Sequence, residues 1–310
     1  MSIRILFMAT LNLILLSVQA QTTEKGPYTI TVLAPGVMHI EDANSTNPPG
    51  IHFDEDGKPA GLNNCSDMYL IAGQEKVLLI DLSNFIRWDT TAVSSLRSIV
   101  YSAKGSRELI IAVTHNHGDH LGMLTAFKDG AEANFWIPEE EFKGKDIFPE
   151  DRTVTFSENA SLDLGGGYII STLEVPGHTP HSTIFSLKGR NLFFTGDALG
   201  SGNGVWLFSY NSFLLYRTSI DRLVSYISDP ANAIDTSALI LYGGHYWQKG
   251  EIALLTARYI YDMQILIDKI RNGGAEEEKV TYNKYLDTNF RYGMATITWN
   301  KADAVKYSGL

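Results

Sequence analysis

Apolar and polar positions recur along the chain with periods that separate strands from helices. Residues 28–33 alternate, break at Pro35-Gly36 and resume over 37–40, which predicts two short antiparallel strands. Residues 44–64 are rich in Pro, Gly, Asn and Asp without any period and predict a long loop. Residues 68–72 and 77–82 flank Gly73-Gln74-Glu75-Lys76, a hairpin signature. Over 90–102, Val93, Leu96, Ile99 and Val100 stand at helical spacing, and the unbroken apolar run 109–113 then reads as a buried strand. Residues 121–127 predict a short helix, and Glu139-Glu140-Glu141 a solvated helix start. Strands are expected at 154–156, 161–164 and 168–175, around a Gly165-Gly166-Gly167 turn. Residues 251–270 read as a long helix with Ile252, Leu255, Tyr259, Met263, Leu266 and Ile270 on one side, closed by Asn272-Gly273-Gly274. Residues 291–299 add a last strand.

Four of the apolar strands share an ending. The first runs into Thr114-His115-Asn116-His117-Gly118-Asp119-His120, which sets four potential metal ligands within six residues. The others run into Pro176-Gly177-His178-Thr179-Pro180-His181, Thr195-Gly196-Asp197 and Gly243-Gly244-His245. Imidazole and carboxylate suit zinc, and short loops can aim them in one direction. One such ending is weak evidence. Four of them predict a sheet edge where ligands converge.

Composition narrows the setting. With 310 residues, 44% hydrophobic and 19% charged, the chain can bury a large core and is not disordered in type. It carries 25 Lys+Arg against 35 Asp+Glu, without a basic cluster, which excludes nucleic acid as an expected partner. Residues 1–20 join Arg4, an apolar centre and Val18-Gln19-Ala20, the pattern of an export signal cleaved after Ala20, with an uncleaved anchor as the alternative. Cleavage removes only Arg4 among the charges, leaving 24 against 35, a net charge of −11. The mature chain, 21–310, shows no repeat or linker and is expected to be a single domain without a stable membrane span. Cys65 is the only cysteine, so no intramolecular disulfide is possible; a small buried apolar role is expected for it.

On these motifs the chain resembles the metallo-β-lactamase superfamily. THNHGDH at 114–120 is similar to its HxHxDH motif, PGHT at 176–179 to its third-histidine loop, FTGD at 194–197 to its bridging-aspartate loop, and GGH at 243–245 to its last-histidine loop. The resemblance implies an α/β fold, an αββα four-layer sandwich with metals at one edge of the two sheets. It implies two zinc ions per chain: His115, His117 and His178 on one, Asp119, His120 and His245 on the other, and Asp197 bridging both. A hydroxide between the ions is then the expected nucleophile, with Asp119 orienting it or carrying its proton.

The bridging carboxylate bears on the reaction. β-Lactam hydrolases of this superfamily usually carry Cys or Ser there, whereas lactonases, glyoxalase-II-like thioesterases and phosphodiesterases keep the aspartate. Tyr246 after the last histidine departs from glyoxalase II, and Asp81-Leu82-Ser83 replaces the commoner Asp-Thr-Gly. His181 stands where many members have glycine and reads either as pocket lining or as a surface or outer histidine; His52 reads as a loop residue. Trp206, Phe208 and Tyr210, with Tyr246 and Trp247, are candidates for an apolar substrate wall. The leading expectation is an exported zinc hydrolase of a small ester or lactone, with a small-molecule substrate as its partner. Hydrolysis of a phosphodiester or phosphorylcholine ester, hydrolysis of a β-lactam, and an iron-dependent oxidation like that of persulfide dioxygenases are the alternatives.

Overall fold

The computed structural model describes residues 22–42, 52–53, 59–61, 66–87, 89–130, 132–200, 204–245, 254–281 and 284–303. The expected export signal, Cys65, Tyr246, Trp247 and the side chain of His52 lie outside them. The first half builds an eight-stranded sheet. Its strands are β1 (Thr22–Lys25), β2 (Tyr28–Ala34), β3 (Val37–Asp42), β6 (Asp67–Ala72), β7 (Lys76–Ile80), β8 (Glu108–Ala112), β9 (Ala133–Pro138) and β10 (Thr153–Phe156), side by side in that order. Between β3 and β6, the short pair β4 (His52–Phe53) and β5 (Pro59–Gly61) lies within the stretch expected to be loop. The helices of this half are α1 (Ala92–Lys104), α2 (Thr125–Lys128) and α3 (Glu139–Phe142). Strands β7, β8, β9 and β10 run parallel, joined through the helices as parallel neighbours require.

The second half builds a six-stranded sheet from β11 (Ser161–Asp163), β12 (Ile169–Glu174), β13 (Thr183–Leu187), β14 (Leu192–Gly196), β16 (Ile240–Gly243) and β17 (Leu255–Thr256). Between β14 and β16 lie β15 (Val205–Leu207) and α4 (Tyr210–Ser228). After β17 come α5 (Ala257–Arg271), β18 (Glu277–Lys279), β19 (Thr288–Tyr292) and β20 (Ala295–Trp299). The last three join β15 in a separate small sheet of order β15-β20-β19-β18.

Three buried clusters define four layers. Leu96, Val100, Leu109 and Ile111 pack α1 on one face of the first sheet. Tyr69, Ile71, Leu78, Phe185 and Phe194 fill the space between the sheets. Phe193, Leu241, Tyr216, Ile220, Ile260 and Met263 pack α4 and α5 on the outer face of the second. This is the αββα sandwich, and alternate residues of β8, Leu109 and Ile111 against Ile110, show the period of two that directs side chains to opposite faces. Among the described residues no helix is long and apolar enough to cross a membrane.

Several elements differ from the sequence expectation. Helix α4 has 19 residues and buries Phe213, Tyr216, Ile220, Leu223 and Ile227, a 3-4-3-4 spacing hidden behind the aromatic run at 206–210; Ser209 caps it by accepting from the Ser212 N–H. Helix α5 begins at Ala257 rather than 251, because Leu255 and Thr256 pair with Leu241 and Ile240. The expected strand at 291–299 is a hairpin of β19 and β20, turning at Gly293, whose φ of +55° favours glycine.

Candidate metal centre

Every candidate ligand follows the C-terminal end of a strand. His115, His117, Asp119 and His120 follow β8, His178 follows β12, Asp197 follows β14 and His245 follows β16. Strand geometry therefore delivers them to one edge, where side chains leave the ladder and loops can turn them inward. Ligand atoms of His115, His117, His178 and Asp197 all lie within 4.8 Å of one another, and so do those of Asp119, His120 and His245. Asp197 joins the two groups. Its Oδ2 stands 3.4 Å from His178 Nε2, 3.2 Å from His245 Nε2 and 4.0 Å from His115 Nε2, while Oδ1 stands 3.5 Å from His120 Nε2. Asp119 Oδ2 lies 3.4 Å from His245 Nε2.

The donor set fits a cation. His115 Nε2, His120 Nε2 and Asp197 Oδ1 are buried and have no hydrogen-bond partner among the described residues. Buried polar atoms are rarely left so, since each unmet group costs about 1–3 kcal/mol. His117 Nδ1 and His178 Nε2 converge to 2.9 Å. Burial pushes the His115 imidazole well below its ordinary range and His178 down to about 4, so both are held as neutral donors. Burial pushes the Asp197 carboxyl up, but His245 and His120 overcome it and hold it well below the carboxylate range. Burial works against protonation of His120 and His245, but Asp197 and Asp81 push the first up to about 10, and Asp197 with Asp119 raises the second well above its ordinary range, so these rings carry the positive charge that a bound cation would supply instead.

Residues behind the ligands set their orientation. The Thr114 N–H and hydroxyl donate to Asp81 at 2.7 and 2.8 Å, and Asp81 Oδ2 stands 2.9 Å from His120 Nδ1, leaving Nε2 to face the centre. His178 Nδ1 donates to the Trp206 carbonyl at 3.0 Å, so strand β15 fixes that ring too. Glu141 is buried, against the expectation of a solvated helix start: Oε1 accepts from the Asn116 N–H at 2.9 Å and Oε2 from the His181 N–H at 3.1 Å. It staples the loop of His115 and His117 to the loop of His178. His181 is thereby held by its backbone, and its imidazole pairs with Glu174 rather than entering the cluster. Asp81 shares the strand-end position of the ligands, since it directly follows β7.

The Asp81-Leu82-Ser83 departure has a structural answer. Ser83 holds φ +55°, a left-handed value that glycine adopts freely, and its hydroxyl donates to Asp42 Oδ2 at 2.6 Å. Gly244 answers a steric demand instead. A β-carbon there would press into Asp197 Oδ1 and sit 2.7 Å from His120 Cε1. Gly244→Ala is therefore expected to displace both ligands and weaken metal uptake by at least about tenfold, read by competition with a chromophoric chelator; unchanged affinity would show that the loop yields without disturbing Asp197.

Aromatic residues flank the centre on one side. The Phe208 ring lies 6.1 Å from His117 and 5.7 Å from His178, and the Trp206 ring lies 6.4 Å from Phe208. Tyr210 packs instead on Trp299, at the start of α4.

Comparison with known proteins bears on the whole arrangement. The family model described as the metallo-beta-lactamase superfamily matches residues 66–234. A "Beta-lactamase-like protein 2 homolog" of Caenorhabditis elegans is 25% identical over 181 residues, covering 58% of this chain and 55% of that protein. A "Probable metallo-hydrolase YqgX" of Bacillus subtilis (strain 168) is 25% identical over 113 residues, covering 32% and 53%. The chain thus spans about half the length of these curated relatives. The crystal structure of a metallo beta lactamase from Erythrobacter litoralis, with beta mercaptoethanol in its active site, is similar in fold with a TM-score of 0.53 at 16% identity, covering 80% of this chain and 100% of that one.

Proposed function

Because the chain belongs to the metallo-β-lactamase superfamily, a superfamily of metal-dependent hydrolases, we propose that it is an exported dinuclear zinc hydrolase of a small ester or lactone with an apolar portion. The observation that carries this reading is Asp197, whose two oxygens face histidines of both groups. His115, His117 and His178 would hold one ion, Asp119, His120 and His245 the other, and Asp197 both. When bound, two such ions supply Lewis acidity toward a carbonyl oxygen and a source of hydroxide at neutral pH.

The chain's own groups do the rest. Asp119 is partly exposed at the mouth of the centre, with its carboxyl pKa lowered: burial raises it, but the His245 hydrogen bond and the His120 charge prevail. It is therefore an anion, placed to accept a proton at a carboxylate oxygen and pass it to the leaving alkoxide. Phe208 and Trp206 offer an apolar wall beside His117 and His178, which favours an acyl chain or ring over a phosphate headgroup. Export rests on the pattern of residues 1–20.

The test is metal quantification on the purified chain, followed by a panel of acyl lactones, aryl esters, a bis-aryl phosphodiester and a β-lactam. Two zinc ions at the seven-ligand centre and preferred turnover of lactones or esters are expected. Turnover of the phosphodiester alone, or a single iron with oxygen uptake, would overturn the proposal.

A further inference from the structure

A third group of ligand side chains lies among the described residues, apart from the first two: His39, Glu41 and Asp67 each offer one ligand atom, all within 4.8 Å of one another. Nothing in the motif pattern marks them, since they are spread over two strands. Their meeting follows from register. β3 and β6 run antiparallel with Glu41 opposite Asp67 and His39 opposite Tyr69, so alternation sets all three ligands on one face. Tyr69 belongs to the core between the sheets, so the trio faces the second sheet. Asp67 is fully buried, His39 nearly so and Glu41 half-buried.

His39 Nε2 and Asp67 Oδ1 stand 2.8 Å apart. With His39 as a neutral donor the three groups carry −2, which one divalent cation cancels. One imidazole nitrogen with carboxylate oxygens is a donor set that zinc accepts, with room for a further ligand.

We propose that His39, Glu41 and Asp67 form an additional binding site for a zinc-type divalent cation, separate from the seven-ligand centre. Its place gives it a role in the architecture. The Asp67 N–H donates to the Gly244 carbonyl at 2.7 Å, and the Tyr69 hydroxyl, under the stacked His39 ring, donates to the Gly243 carbonyl at 2.6 Å. An ion on the trio ties β3 to β6 where β6 grips the loop that presents His245. The inference does not depend on the hydrolytic reading.

The full chain, stripped with a chelator and titrated with zinc, supplies the test, with bound zinc counted by mass spectrometry and affinities read by chelator competition. The parent is expected to hold one ion more than Glu41→Gln or Asp67→Asn, or to hold that ion at least about tenfold more tightly. A variant disabled at both halves of the main centre, His117→Asn and His178→Asn with His120→Asn and His245→Asn, is expected to keep that ion and to lose it when Glu41→Gln is added. Circular dichroism checks folding; if Asp67→Asn fails to fold, the half-buried Glu41→Gln alone decides. Zinc counts and affinities in Glu41→Gln equal to the parent's, or no zinc on the disabled main-centre variant, would overturn the site. Failure of the lactone panel leaves these counts unaffected.

Discussion

Asp197→Asn is expected to reduce hydrolysis by about 10³-fold, the size that follows when several kcal/mol of transition-state stabilisation is lost. Asparagine keeps the shape of the side chain and removes the charge, so the variant isolates electrostatics from packing. The loss should be large because Asp197 is the one group that approaches His115, His178, His120 and His245 together. Without that carboxylate a largely buried set of imidazoles faces any cation with Asp119 as its only anionic partner. The metal content of the main centre should fall in parallel, from two ions toward one or none. Full metal content with unchanged kcat/KM on the best substrate would remove Asp197 from its proposed role.

Glu141→Ala is expected to destabilise the metal-stripped chain by roughly 2 kcal/mol, from two partly buried backbone N–H groups left without an acceptor at about 1 kcal/mol each, the low end of the usual range. Asn116 and His181 would lose their tether together, so the loops of His117 and His178 should separate and zinc affinity should drop as well. Glu141→Gln keeps one strong acceptor and should fall between parent and alanine variant. Urea denaturation of the stripped protein separates this effect from metal linkage. An alanine variant with the parent's midpoint and zinc affinity would show that water replaces the carboxylate.

The contrast between Asp197 and Glu141 explains what could be read from the chain. Asp197 ends an apolar strand at a glycine turn, and so do the ligand histidines, so local pattern alone placed them at one edge. Glu141 sits among three consecutive glutamates at the start of a short helix, where local pattern signals solvent. Its burial depends on which loops fold over it, and those loops are 25 and 40 residues away in sequence. The same limit applies to His39, Glu41 and Asp67, which alternate on two strands and meet only through the β3–β6 register. Helix α4 is a different case: its apolar spacing is regular, but Trp206 and Phe208 before it and Tyr210 at its first position have the pattern of a pocket wall. Of those three, Trp206 acts on His178 through its backbone carbonyl, which no side-chain reading anticipates.

That carbonyl belongs to β15, whose Val205, Trp206 and Leu207 pair with Ile297, Thr298 and Trp299 of β20, beyond the span matched by the family model. The Trp299 indole also donates to the Ser209 carbonyl at 2.9 Å. The brace on His178 therefore depends on a pairing partner far downstream in the chain, so the C-terminal hairpin helps set the direction of a ligand ring in the first group.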